Sequence, residues 1–207
     1  MQGPADRFHA LMAEPLVPWT RLLLLGLVIP LALSFTQPLW NIHLVAPQFS
    51  QSLDLDIYSH TIEGDIGEIN TLNFSIGMAR IDPRAFSELD WLPFAMSALI
   101  LLTLRVAAVG SVRSLIDLSV LLFYFSAFSM SRFYYTLYRF GHNLDPYATV
   151  EVEPFTPAML GTQQIADITT SSYPQGGTWL IGAFALGVVF LTVWHVVRGL
   201  RVPTGAP

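Results

Sequence analysis

The sequence predicts an all-α membrane protein in which four transmembrane helices carry a small mixed extracytoplasmic cap built from two loops. Three observations predict it. Apolar residues make up 53% of the 207 and charged residues 12%, with a mean hydropathy of +0.52, too apolar for an ordinary soluble domain. The apolar residues gather into four runs of about 20, the length a helix needs to cross the hydrocarbon. Twelve of the 15 acidic residues and three of the five histidines fall in the two polar stretches between runs, residues 41–90 and 139–177.

After an N-terminal segment, 1–20, the first span covers 21–40 (RLLLLGLVIPLALSFTQPLW) and is expected to kink at Pro30, whose ring removes a backbone donor. A second reading makes this run a cleaved signal peptide, with its apolar core at 22–33 followed by Ala32-Leu33-Ser34. Spans two, three and four cover 91–110, 115–138 and 178–197, and a tail occupies 198–207. Trp19, Trp40, Trp91, Trp179 and Trp194 sit near the ends of these runs, where amphipathic rings meet headgroups.

Orientation rests on arginine, because the chain has no lysine. Arg7 and Arg21 precede the first span, Arg105 and Arg113 bracket the turn between the second and third, and Arg198 and Arg201 follow the fourth. Six of ten arginines thus lie on one side, which places both termini in the cytoplasm and both long loops in the periplasm, across the inner membrane of a bacterium. Arg132 and Arg139 at the far end of span three pull the other way.

In the first loop, Ser52 to Tyr58 alternates apolar and polar residues as a half-buried strand does, with 41–45 as its partner. Asp65 and Glu68 form a capping-box pattern ahead of Ile69, Leu72 and Ile76, predicting a short helix that ends at Gly77. Asp82-Pro83 and Asp90-x-x-Pro93 read as helix starts, the second launching span two. The second loop, punctuated by Pro146, Pro154, Pro157, Pro174 and Gly176-Gly177, reads as a fixed irregular path.

The lack of cysteine excludes a c-type haem, an iron–sulfur cluster or a blue-copper centre within this chain. His195, near the cytoplasmic end of span four, reads as an interfacial residue. Asp117 and Arg105 read as a solvated pair near the same surface. With no nucleophile–base–acid constellation and no phosphate loop, no enzyme activity is expected.

The runs LWNIHLVAPQ (39–48), INTLNFSIGM (69–78), FGHNLDP (140–146), EPFTP (153–157) and Ser172-Tyr173-Pro174 resemble a family of small multi-spanning membrane proteins encoded near nitrous oxide reductase in bacterial denitrification clusters. The resemblance covers about residues 39–178. It implies an accessory role in making or supplying a periplasmic copper enzyme. Where the family commonly carries histidine and tyrosine, this chain has Phe74 and Ser75.

Imidazole and thioether groups suit copper, so His142, Met78, Asp145, His60 and His43 are the candidate metal ligands, none at a diagnostic spacing. The competing reading makes His142, Asn143 and Asp145 turn and cap residues, and Met78 core filler. Copper is the one cofactor suggested. Expected partners are the lipid bilayer and other membrane or periplasmic proteins of a redox complex, with no nucleic acid. Two functions stand: an assembly, copper-delivery or electron-supply factor for a periplasmic oxidoreductase, and a structural subunit of a respiratory or electron-transfer membrane complex. In the second, the aromatic third span (Phe123, Tyr124, Phe125, Phe128, Phe133, Tyr134, Tyr135, Tyr138) packs against a partner or a quinone.

Overall fold

A computed structural model describes residues 12–201. Arg7 and the remainder of the tail beyond Arg201 lie outside the described residues. In chain order the elements are α1 (Pro18–Leu33), β1 (Trp40–Val45), β2 (Leu53–Ile57), β3 (Ile62–Gly64), α2 (Ile66–Ser75), α3 (Ser87–Val109), α4 (Val112–His142), β4 (Gly161–Ile165), β5 (Ile168–Pro174) and α5 (Gly176–Arg201). Among the described residues, four helices are long and apolar enough to cross a membrane, α1 with its 3₁₀ extension to Thr36, α3, α4 and α5. The chain divides into a helical unit (up to Leu33, Ala95–Ser126 and from Leu180) and an α+β unit (Ser34–Phe94 with Ala127–Trp179).

In the helical unit, Leu24 and Leu31 of α1, Met96 and Leu99 of α3, Leu115 and Leu122 of α4, and Phe184 and Val188 of α5 are buried. The opposite faces of the same helices are apolar too: Leu22, Ile29, Leu101, Leu186 and Phe190 are exposed. A helix apolar all round is what a lipid solvent selects, because no face needs to meet water. Hydroxyls inside it return their protons to the preceding turn, Thr103 to Leu99 O at 2.7 Å and Ser119 to Leu115 O at 3.1 Å. The link between α3 and α4 is as tight as expected. Gly110 takes a left-handed φ of 65°, and its carbonyl accepts from Leu16 N at 2.6 Å.

The first span is shorter than the sequence suggests. Helix α1 begins with Pro18 at its first position, where a missing N–H costs nothing, and stops at Leu33 in a 3₁₀ turn, Ser34–Thr36. Trp40, expected at the span's end, instead opens β1. Helix α3 starts at Ser87 rather than Asp90, because tertiary contacts hold its first turn: Glu88 pairs with Arg132 at 2.5 Å and the Phe86 ring stacks on Phe140.

The α+β unit corrects the all-α expectation. It contains a five-stranded antiparallel sheet ordered β3-β2-β1-β5-β4. The pairing of β1 with β2 follows the predicted alternation, with His43 opposite Asp54 and Leu44 opposite Leu53. The second loop is not irregular: 161–174 forms a hairpin whose second strand lies beside β1, from Trp40↔Pro174 to Val45↔Thr169. Polar side chains fill its inner positions, Thr170 and Ser172 being buried, so the apolar alternation that announces a strand is missing. Trp40 Nε1 satisfies Ser172 Oγ at 2.7 Å, and Ser172 donates in turn to Met159 O at 3.1 Å. Leu44, Leu53, Leu55, Ile62 and Ile168 of the sheet pack with Ile69, Leu72 and Ile76.

Helix α2 forms where predicted and ends before Gly77, whose φ of 78° only glycine adopts freely. The capping box does not form. Asp65 makes no side-chain cap bond because its carboxylate accepts from Asp54 N at 2.9 Å instead. Asp82 does cap, accepting from Arg84 N at 3.0 Å over the turn Pro83–Ala85.

Candidate functional site

Strand alternation buries one face of the sheet and leaves the other polar. The open face carries Asn41 and His43 from β1, Asp54 and Asp56 from β2, Glu63 from β3, Ser171 and Tyr173 from β5, and Thr162 from β4. Register aligns them in two cross-strand rows, Asp54–His43–Ser171–Thr162 and Glu63–Asp56–Asn41–Tyr173. Side chains directly opposite on one face stand close enough to interact.

His43 donates from Nδ1 to Asp54 Oδ1 at 2.8 Å. A carboxylate can only accept, so the proton sits on Nδ1 and the Nε2 lone pair of the neutral ring is left available. The His43 hydrogen bond holds the Asp54 carboxyl below its usual range; burial opposes it, and Asn41 adds to it. Asn41 Nδ2 also donates to Asp56 Oδ1 at 2.9 Å. At the end of the first row, Ser171 and Thr162 hydroxyls share a hydrogen bond of 2.8 Å. The result is an imidazole held at one tautomer and one angle, able to accept a proton, to accept a hydrogen bond, or to offer Nε2 to a metal held with other groups. Sequence reading missed the row because His43, Asp54 and Ser171 come from three strands, the last far along the chain; the predicted β1–β2 alternation was the signal that could have paired the first two.

The candidate metal ligands divide into three places. His43 is on the open face. His60 lies in the turn between β2 and β3, 3.4 Å from Ser59 Oγ, with its ring against Tyr58. His142 ends α4, donating from Nδ1 to Tyr138 O at 3.0 Å and stacking on the Tyr138 ring at 3.8 Å between centroids. Asp145 follows it and accepts from Tyr147 N at 2.9 Å, while its own N–H donates to Gly77 O at 2.8 Å, which brings it beside the segment of Met78. Met78 packs against the apolar core. Among the described residues, no group of three or more His, Asp or Glu side chains stands together as a metal site would require.

Two other expectations concerned ionisable groups in the helical unit. His195 is buried within the helical unit, 3% exposed, with Nε2 3.1 Å from Thr20 Oγ1. Arg105 and Asp117 are both exposed, and the arginine–carboxylate ion pair among the described residues is Arg132–Glu88, not theirs. Comparison with protein-family models, with curated proteins and with solved structures gives no match.

Proposed function

We propose that this chain is an accessory protein of the bacterial inner membrane, with both termini cytoplasmic and the α+β unit in the periplasm, that supports assembly, copper delivery or electron supply of a periplasmic oxidoreductase such as nitrous oxide reductase. The observation that carries the reading is the open sheet face, where Asp54 holds the His43 ring through Nδ1. An imidazole oriented by a carboxylate is half of a metal-transfer contact, the other ligands coming from the protein that receives the ion. The sequence runs quoted above supply the choice of partner. No reaction of its own is assigned to the chain.

The test is deletion and complementation in a denitrifying host, scoring copper content and activity of the partner enzyme. His43→Ala should lower both while the chain's membrane level stays unchanged, and His142→Ala tests another of the candidate ligands in the same way. Full enzyme loading in the deletion strain would reject the proposal.

A second reading, a structural subunit of a respiratory or electron-transfer membrane complex, is favoured by the exposure of Phe123, Tyr124, Phe128, Tyr134 and Tyr135 along α4. Stoichiometric co-purification with membrane redox subunits, together with normal copper loading in the deletion strain, would select it.

A further inference from the structure

The geometry points to a binding site for an anionic phospholipid on the C-terminal half of α4, with Arg139 holding the headgroup phosphate. The inference rests on the reading of α4 as a membrane-spanning helix. Its 31 residues measure about 46 Å at 1.5 Å each, whereas the hydrocarbon takes about 20 residues. Counted from Val112, the last third of the helix therefore stands at headgroup level.

What that third presents, continued inward by Phe128, is an aromatic ledge with one cation that makes no ion pair among the described residues. Helical offsets of three, four and seven put Phe128, Tyr135, Tyr138 and Arg139 on the same side, with Tyr134 at its margin, and all five are exposed. Phe128 is braced from behind by Trp91, centroids 5.3 Å apart. Two arginines serve this stretch and their situations differ. Arg132 is satisfied: it donates from Nε to Glu88 Oε1 at 2.9 Å and lies over the Tyr135 ring at 5.9 Å. Arg139, two turns further out, makes no ion pair among the described residues.

An exposed guanidinium above tyrosines at the membrane boundary suits a phosphate diester whose acyl chains descend along the aromatic rings. The carboxyl end of the helix works against an anion with about half a negative charge. Arg139 outweighs it with a full positive one. A zwitterionic lipid brings its own cation to the site and gains less, so the preference is for a headgroup of net negative charge.

The test uses the purified full chain in nanodiscs of equal phosphatidylglycerol and phosphatidylcholine, released into a native mass spectrometer, with retained lipid counted by class. Wild type should retain phosphatidylglycerol about fivefold over phosphatidylcholine, the preference expected of one arginine near the surface. Arg139→Gln should bring the ratio close to one, Arg139→Lys should restore much of it, and Arg84→Gln, outside the ledge, should leave it unchanged. Equal retention of both lipids by wild type, or an unchanged ratio in Arg139→Gln, overturns the inference. So does loss of the bound lipid to excess inorganic phosphate, which would mark a site for a free oxyanion. A chain that fails to enter the discs at all would instead overturn the membrane reading itself.

Discussion

Thr20 and His195, 175 residues apart, meet inside the helical unit with Oγ1 and Nε2 3.1 Å from each other and both side chains buried. The pair joins the first turn of α1 to the last third of α5, flanked by Trp19 edge-on to Trp194 and by Arg198 over the Trp194 ring. On the next turn of α5, Thr192 shares a 2.6 Å hydrogen bond with Ser119 of α4. Polar contacts thus tie α5 to two different helices.

Removing the Thr20 hydroxyl with an isosteric side chain tests the strength of this contact. Thr20→Val should lower the stability of the helical unit by about 1 kcal/mol, within the range measured for interhelical hydrogen bonds in membrane proteins. A double-mutant cycle with His195→Ala, followed by unfolding in mixed micelles, isolates the pair. Additive single losses would mean that the two side chains are neighbours without being partners.

The His43–Asp54 pair predicts a pH dependence of definite sign. Hydrogen bonding from His43 depresses the Asp54 pKa in the folded state, so the pair's contribution is fully present above the unfolded carboxylate value. It fades as pH falls through the lower, folded one. His43→Ala should raise the Asp54 pKa toward its ordinary value in a carbon-13 NMR titration. Because both side chains are about half exposed, the stability at stake near neutral pH is under about 1 kcal/mol. A stability gap that widens on acidification would contradict the assignment.

Ala166 turns the β4–β5 hairpin with a φ of 50°, a left-handed conformation that costs a non-glycine residue about 1–2 kcal/mol. Replacing it with glycine relieves that strain while freeing the unfolded chain, so Ala166→Gly should stabilise the α+β unit by about 0.5–1 kcal/mol. Chemical denaturation monitored at the tryptophans measures it. A loss of stability would show that the turn is not strained.

Gly141 sits against the 155–157 segment so closely that an added Cβ would strike the Phe155 carbonyl oxygen and come within 3.0 Å of Pro157 Cδ. Neither atom is the free end of a flexible side chain, and Phe155 N is already committed to Gly141 O at 3.0 Å. Gly141→Ala should therefore destabilise the α+β unit by about 1–3 kcal/mol, the cost of overpacking. Faster cleavage of residues 145–160 in limited proteolysis would be its visible sign, and an unchanged digestion pattern would refute it.

The proposed orientation is tested by reporter fusions. Fusions at residues 65 and 150 should be exported, and fusions at residue 110 and at the C-terminus should stay cytoplasmic. An exported C-terminus would overturn it.

Much of the frame was legible because it is written in local periodicity. Four apolar runs of spanning length give four helices whatever surrounds them, since a backbone in lipid must satisfy its own hydrogen bonds. The alternation over 52–58 and the 3.6-residue spacing of Ile69, Leu72 and Ile76 placed β2 and α2 for the same reason. Helix ends were less legible. Asp65 carries the residue type for a cap and spends its carboxylate on Asp54 N, and α3 is extended upstream by Glu88 and Phe86 finding partners on α4.

By itself, then, the sequence determined four helices long and apolar enough to cross a membrane and the gathering of most ionisable side chains into the two polar stretches between them, because both are matters of composition and spacing along the chain. Only the tertiary structure decided that 168–174 is a strand beside β1, since polar Thr170 and Ser172 stand at its buried positions and Ser172 becomes favourable there only when Trp40 and Met159 supply its hydrogen bonds. The same long-range pairing set His43 between Asp54 and Ser171. No local pattern encodes a register between segments more than a hundred residues apart; it is fixed when the sheet closes and the strands pair.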